Sequence, residues 1–371
     1  MAGCDDAWVS LLRSDPRPWL RDCDEPYARW VTQVRLDDRA PHDPIVLADH
    51  QATLDDPLVQ ALVERLPAWS DPVRSHAAPT YAPNVLNLLA DLGVCGNDDL
   101  PRVQHLLDEM LEHRTPQGRF LAFGTFIRQP DPAWSTLACD HYAITEVMVR
   151  YGRVDDPRVR TAVDLMADDI TDTSLGQACR CLPHSRTGGR GPGRVADPCP
   201  QVTVEALRTF GRLDEADRPP MLAEAARSVL RLWRARGDVK PYMFGHGVHF
   251  KAVKWPATWY SVLTVLGALA PYREVWSGAS ADPDDHAAAA ELVACLTAYN
   301  TSPDGRVVPR SVFRGFGEYS FGQKKEPSPI ATAWVCAALR SFTMISDAAA
   351  SVDVTRLGSA KGGTGVTVPP R

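Results

Sequence analysis

The chain holds 371 residues, of which 44% are hydrophobic and 23% charged, a balance that excludes wholesale disorder and allows a sizeable core. Its 40 Lys and Arg stand against 46 Asp and Glu, and the formal net charge of -6 argues against a general nucleic-acid binder. No apolar run approaches the roughly 18 residues of a membrane span, and the opening MAGCDDAWVS has no basic stretch leading into an apolar one. The expectation is a cytoplasmic protein with no membrane span and no nucleic-acid partner. At roughly 150 residues per domain, the length predicts two or three domains. Nine cysteines in a reducing compartment predict core fillers, metal ligands or catalytic thiols rather than disulfides.

In chain order, residues 1–50 carry Trp8, Trp19 and Trp30 and read as an N-terminal helical extension. From residue 51 a phrase recurs: a short acidic turn, often with proline, then a helix. It stands at Asp55-Asp56-Pro57, Asn97-Asp98-Asp99-Leu100-Pro101 and Asp155-Asp156-Pro157, with looser copies at Asp217-Arg218-Pro219 and Asp282-Pro283-Asp284-Asp285. Asp or Asn accepts from the free N–H groups of a helix start, and proline fits the first turn. The copies lie roughly 45–65 residues apart, at or above the spacing of helical repeats.

More apolar helices are predicted between these phrases, at 84–92, 137–151, 201–210, 257–270 and 329–342. The helix at 137–151 is apolar on most sides and so reads as buried. By contrast, 158–170 puts Val159, Ala162, Val163, Leu165, Met166 and Ile170 on one side, the pattern of an outer helix. Alternating buried and amphipathic helices solve their burial problem by stacking, as an open solenoid or as a closed ring. The glycine-rich end, 346–371, reads as a disordered tail.

Two short turns follow amphipathic helices: Thr115-Pro116-Gln117-Gly118-Arg119-Phe120 and Ser302-Pro303-Asp304-Gly305-Arg306-Val307. A helix, a Gln/Asp-Gly turn with a following aromatic or apolar residue, and a buried helix resemble the repeats of squalene/terpene cyclases and protein prenyltransferase β-subunits. Trp of that pattern is replaced here by Phe120 or Val307. The resemblance covers about residues 50–345. It implies an all-α protein, an α/α toroid of about five to six helical hairpins over 51–345. It also implies a cyclase- or transferase-type enzyme acting in a central cavity.

In such a ring the inner helices start at one end of the cavity. Their starts carry Tyr81 and Asn84; Cys139, Asp140 and His141; Cys199; Lys254, Trp255 and Thr258; and Lys325, Glu326 and Ser328. Asp140 or His141 is the expected proton carrier. Tyr81, Lys254, Trp255 and Lys325 are the expected substrate contacts, the lysines clamping an anion. Each of these residues also fits the plainer role of a cap or rim residue.

The densest cluster is Cys179-Arg180-Cys181-Leu182-Pro183-His184, with Cys199 across a glycine/arginine loop that includes Gly188 to Gly193. Thiolate and imidazole ligands select zinc, so Cys179, Cys181, His184 and Cys199 are the expected ligands; unrelated thiols are the alternative. Adjacent helical residues point about 100° apart, so Cys139, Asp140 and His141 cannot all ligate one ion.

Asp282-Pro283-Asp284-Asp285 matches the D-x-D-D motif of class II terpene cyclases, but it sits where the other repeats carry outer-helix caps. An acid that protonates carbon needs a dry cavity. The aromatic stretches 240–251 and 313–325 read as lids or as packed loops. Lanthionine-forming cyclases, another zinc toroid, use an adjacent Cys-His pair, which His246 lacks. Together these features predict a zinc-dependent enzyme for a small, partly hydrophobic, anionic substrate. The alternative is a non-catalytic toroid scaffold or ligand-binding protein with a structural zinc.

Overall fold

The computed structural model describes residues 4–125, 131–189, 196–237 and 248–357. The glycine loop at 190–193, most of the 240–251 stretch and the final residues of the expected tail lie outside these. The fold is mostly helical, with three two-stranded ladders among the described residues. No helix in this set is long and apolar enough to cross a membrane. The chain forms two compact units: Met1–Gln60 with Trp233–Arg371, and Ala61–Leu232. The segment 1–50, read from sequence as an extension of a ring, thus shares a unit with the C-terminal part of the chain.

The second unit, Ala61–Leu232, alternates the two helix types. Helix Ala82–Asp91 is buried from Ala82 to Leu89, and helix Ala138–Arg150 buries Asp140 through Tyr142 and Ile144 through Met148. Helix Pro200–Phe210 is buried in the same way. Between them, Pro101–Glu112 and Pro157–Asp168 bury one face each: Val103, Leu106, Leu107, Met110 and Leu111 in the first, Val159, Ala162 and Met166 in the second. Leu222–Arg234 follows with alternating apolar and charged sides. The predicted capping holds at Asp56, Asp156 and Asp282, whose side chains accept from backbone N–H groups of the following turn. It fails at two copies. Asp98 accepts from Cys95 instead, and Asp217 lies in a short 3-10 turn ahead of its helix.

In the first unit, Trp8 is fully buried and its backbone N–H donates to Thr343 Oγ1 at 3.2 Å. A Glu25 oxygen accepts from the N–H of Ile330 at 3.2 Å, placing a carboxylate at the start of helix Pro329–Ser341. The expected disordered tail needs correction, because Ser346–Ala350 is a helix with Ser346 and Ala349 buried. This helix packs against helix Pro283–Asn300, and its small side chains leave little hydrophobic pattern to read. The predicted helix at 257–270 is shorter, Val262–Leu269, started by a capping box between Ser261 and Thr264. Residues 254–255 are instead extended and pair in parallel with Ser311–Val312. The aromatic run 313–325 is a packed loop: Phe316, Tyr319 and Phe321 are buried against one another, and the Tyr319 hydroxyl donates to Leu58 O at 2.8 Å.

The two Gly turns share one geometry. Gly118 donates to Thr115 O and Thr115 to Arg119 O; Gly305 donates to Ser302 O and Ser302 to Arg306 O. Both glycines have positive φ, +100° and +77°. The chain leaving each turn then donates an N–H to the fourth residue of the next buried helix. Phe120 donates to His141 Nδ1 at 3.2 Å and Val307 to Thr332 Oγ1 at 2.9 Å. A third copy follows Gly176, where Cys179 donates to Thr203 Oγ1 at 3.1 Å. In two copies the helix start answers: Cys199 N–H donates to Cys179 O and Ser328 N–H to Val307 O, both at 2.8 Å.

A Cβ on Gly305 would lie 2.5 Å from Ser14 O while holding an unfavourable φ. Gly305→Ala should therefore lower unfolding free energy by about 1–3 kcal/mol in urea titration. An unchanged midpoint would mean that the turn does not lock the segment.

Candidate functional site

Within the second unit the three buried helices run in parallel. At their C-terminal ends Arg150 donates to Asn87 O and Oδ1 at 3.0 Å and pairs with Asp91 at 2.6 Å, while Arg208 and Arg212 reach Glu146 at 2.9 and 3.5 Å. At their N-terminal ends, Tyr81, Cys139, Asp140 and Cys199 gather. For helices Ala138–Arg150 and Pro200–Phe210, the pinning hydrogen bonds to His141 and Thr203 fix where the helix begins relative to the strand before it.

His76 enters this group from the loop ahead of helix Ala82–Asp91. Asn84 holds that loop by donating to His76 O at 2.9 Å and Ala78 O at 2.8 Å. The His76 ring then bridges two side chains of the next buried helix. Its Nε2 lies 3.4 Å from Cys139 Sγ and its Nδ1 3.8 Å from Asp140 Oδ1. Asp140 is fully buried, and neither carboxyl oxygen completes a hydrogen bond. Burial raises its pKa, opposed by nearby His76, the Leu137 backbone and the Tyr81 hydroxyl. The half-buried Cys139 thiol is held protonated by burial first, and then by its neighbours Asp140, Glu205, Cys199 and Cys181. Glu205 takes a hydrogen bond from Gln201 Nε2 at 2.9 Å on one oxygen and leaves the other unpartnered. Burial pushes its carboxyl up to about 8, so it carries a proton at neutral pH.

The two expected proton carriers separate. Asp140 belongs to this cluster. His141, one position on, points into the packing, where its Nδ1 accepts from Phe120 and its ring tilts against the Phe120 ring. It fills the role that Thr203 and Thr332 fill elsewhere, and burial lowers its pKa to about 3. Tyr81 precedes helix Ala82–Asp91 and is buried beside Trp69, with its hydroxyl next to the Asp140 carboxyl.

Of the four expected zinc ligands, Cys181 and Cys199 lie within electrostatic reach of Cys139. Cys199 is pushed up to about 12 by burial. Cys179 is engaged by the Tyr142 hydroxyl at 3.6 Å, and His184 Nδ1 serves the local turn at Thr187, 3.2 Å from its N–H. No three of these four bring ligand atoms within 4.8 Å of one another.

Lys254, Trp255 and Lys325 belong to the first unit. Lys254 is exposed with its ammonium 3.9 Å from the Phe313 ring centroid, Lys325 is exposed, and Trp255 is a core residue stacked on Trp334. Asp284 is 79% exposed and paired with Arg234, the wrong setting for an acid that must protonate carbon. Sequence reasoning missed His76, Glu205 and the arginines. Gln201, Glu205, Arg208 and Arg212 recur at a four-, three-, four-residue spacing along an otherwise apolar helix, and that stripe was a readable signal.

No family model, curated protein or solved structure matches the chain. The site therefore rests on its own geometry. His141 supplies a direct check on that geometry. Its folded pKa lies below its unfolded value near 6.5, so the unfolded chain binds the extra proton and stability falls as pH drops from about 6.5 towards 3. The slope from this one group is about 1.4 kcal/mol per pH unit. His141→Asn, which keeps an acceptor for Phe120, should flatten the acid limb of stability against pH by about one proton. An unchanged limb would contradict the assignment.

Proposed function

We propose that the chain is a cytoplasmic enzyme of the α/α-toroid type, with about five to six helical hairpins, acting on a small, partly hydrophobic molecule through the thiol of Cys139. Its support is one observation: the His76 ring stands between Cys139 Sγ at 3.4 Å and Asp140 Oδ1 at 3.8 Å. That is the order of nucleophile, base and orienting carboxylate used in covalent acyl transfer. The repeated turn and pinning geometry supports the toroid reading, and the free thiols suit a reducing compartment.

The thiol is protonated at rest, so His76 acts as a general base during attack rather than as half of a standing ion pair. In this reading Sγ attacks a carbonyl carbon and its proton passes to Nε2 of His76. The carbonyl oxygen takes the negative charge beside the first-turn N–H groups of helix Ala138–Arg150, which lack intrahelical acceptors. Collapse expels the leaving group, which takes the proton from His76, and leaves a thioester on Cys139. Water or a second nucleophile then releases the acyl group. Asp140 steadies the imidazolium, and Tyr81 and the protonated Glu205 are donors beside it.

A zinc reading stands second, favoured by the two unpartnered oxygens of the fully buried Asp140. Cys139 and His76 with Cys181 and Cys199 suit zinc by donor type, but like the set with Cys179 and His184 no three of them bring ligand atoms within 4.8 Å of one another, which ranks this reading below the thiol one. Bound zinc would polarise a substrate or hold a thiolate.

Acylation by p-nitrophenyl acetate separates the readings. The thiol enzyme should give a burst and an acetyl group mapped to Cys139, with turnover falling about a hundredfold or more in Cys139→Ala and His76→Ala. It should carry less than a tenth of an equivalent of zinc. One equivalent of zinc without acylation at Cys139 would favour the metal, and neither result would favour a non-catalytic scaffold.

A further inference from the structure

The same three helices carry a second cluster at their far ends. Along helix Ala138–Arg150, Cys139, Ala143, Glu146 and Arg150 recur at four-, three- and four-residue spacing and so share a face. Gln201, Glu205, Arg208 and Arg212 do the same on and just beyond helix Pro200–Phe210. Each stripe therefore begins beside the thiol and ends in guanidinium groups.

At that end three arginines meet two carboxylates. Glu146 is buried, and one of its oxygens is shared by Arg208 at 2.9 Å and Arg212 at 3.5 Å; Arg150 pairs with Asp91 at 2.6 Å. The balance is one positive charge in excess. Arg212 is the loosest member, about one-third exposed, and the neighbouring Arg150 and Arg208 charges together with burial lower its pKa to about 10. A guanidinium has five donors, and the single long contact to Glu146 at 3.5 Å engages few of Arg212's. Helix C-terminal dipoles attract cations and account for one arginine per helix. They do not account for Arg208 and Arg212 sharing one carboxylate oxygen.

We propose that Arg212, with Arg208 behind it, holds the anionic end of a substrate whose reactive carbonyl reaches Cys139. This rests on the thiol reading above and adds the substrate's form. From Cys139 to Glu146 and Arg150 is seven and eleven residues, about 10 and 16 Å at the helical rise. A fitting molecule is an elongated acyl compound ending in a carboxylate or phosphate, with an apolar middle lying over Ala143.

The test uses the intact protein and a series of N-iodoacetyl amino acids in which the carboxylate is set progressively farther from the iodomethyl group, each paired with its neutral amide. Peptide mapping reads alkylation at Cys139. The anionic-to-neutral rate ratio should rise with length and peak, at about tenfold, where the reagent spans about 10 Å or more. Arg212→Gln should flatten the ratio to near one at every length, and Arg212→Lys should keep part of it. Glu146→Gln, which releases both guanidiniums, should raise it. Arg212→Gln leaves Arg208 on Glu146, so the fold does not depend on it. A ratio independent of length, or unchanged in Arg212→Gln, overturns the anion site even where Cys139 alkylates readily. Failure of every reagent to label Cys139 overturns the thiol reading instead. Inorganic phosphate slowing only the long anionic reagents would identify the phosphate form of the ligand, and free acetate doing so the carboxylate form.

Discussion

One hydrogen bond from a backbone N–H to a helix side chain, repeated three times, sets the level at which three of the buried helices begin. The chain arriving from a glycine turn donates an N–H to the fourth residue of the helix that follows: to His141, to Thr203 and to Thr332. An unmet N–H in these buried surroundings would cost about as much as a lost hydrogen bond, so strand and helix cannot slide past each other. In the second unit this brings the starts of successive helices to a common end. Residues 60 or more apart in sequence then meet there as chemistry.

That meeting point combines groups that disfavour one another. A buried carboxyl, a second carboxyl that keeps its proton and three thiols share a region of low polarity with one imidazole. Burial raises every acid among those with a resolved shift. A structural role would be met more cheaply by apolar residues of the same size, since unpartnered buried polar oxygens are costly. Their presence next to a nucleophilic sulfur is what a site for an incoming molecule requires. The far end of the same helices behaves differently: there each carboxylate is answered by arginine, and one guanidinium is in excess.

Much of this architecture is legible in the sequence. The alternation of amphipathic and apolar helices follows from period and capping, and Asp56, Asp156 and Asp282 cap where the acidic turns predict. The Thr115–Phe120 and Ser302–Val307 turns adopt the same shape, as their shared pattern implies. Where reading stopped, the reason is specific. His76 sits in a loop with no periodicity, and only the packing of Asn84 against its backbone carries it to Cys139. Asp140 and His141 are neighbours in sequence, yet a turn of about 100° sends one into the site and the other into the scaffold. Cys179 and His184 have the composition of metal ligands, but local partners, Tyr142 and Thr187, claim their side chains. The helix Ser346–Ala350 was invisible because alanine packs by fitting closely rather than by burying much apolar surface.

The pairing of the imidazole with the thiol is the claim on which the chemistry turns, and the pH dependence of Cys139 alkylation by iodoacetamide addresses it most directly. With His76 as base, wild type should react about tenfold or more faster than His76→Gln near neutral pH, the two converging at high pH where the thiolate forms unaided. Equal rates across the whole range would show that His76 does not serve Cys139.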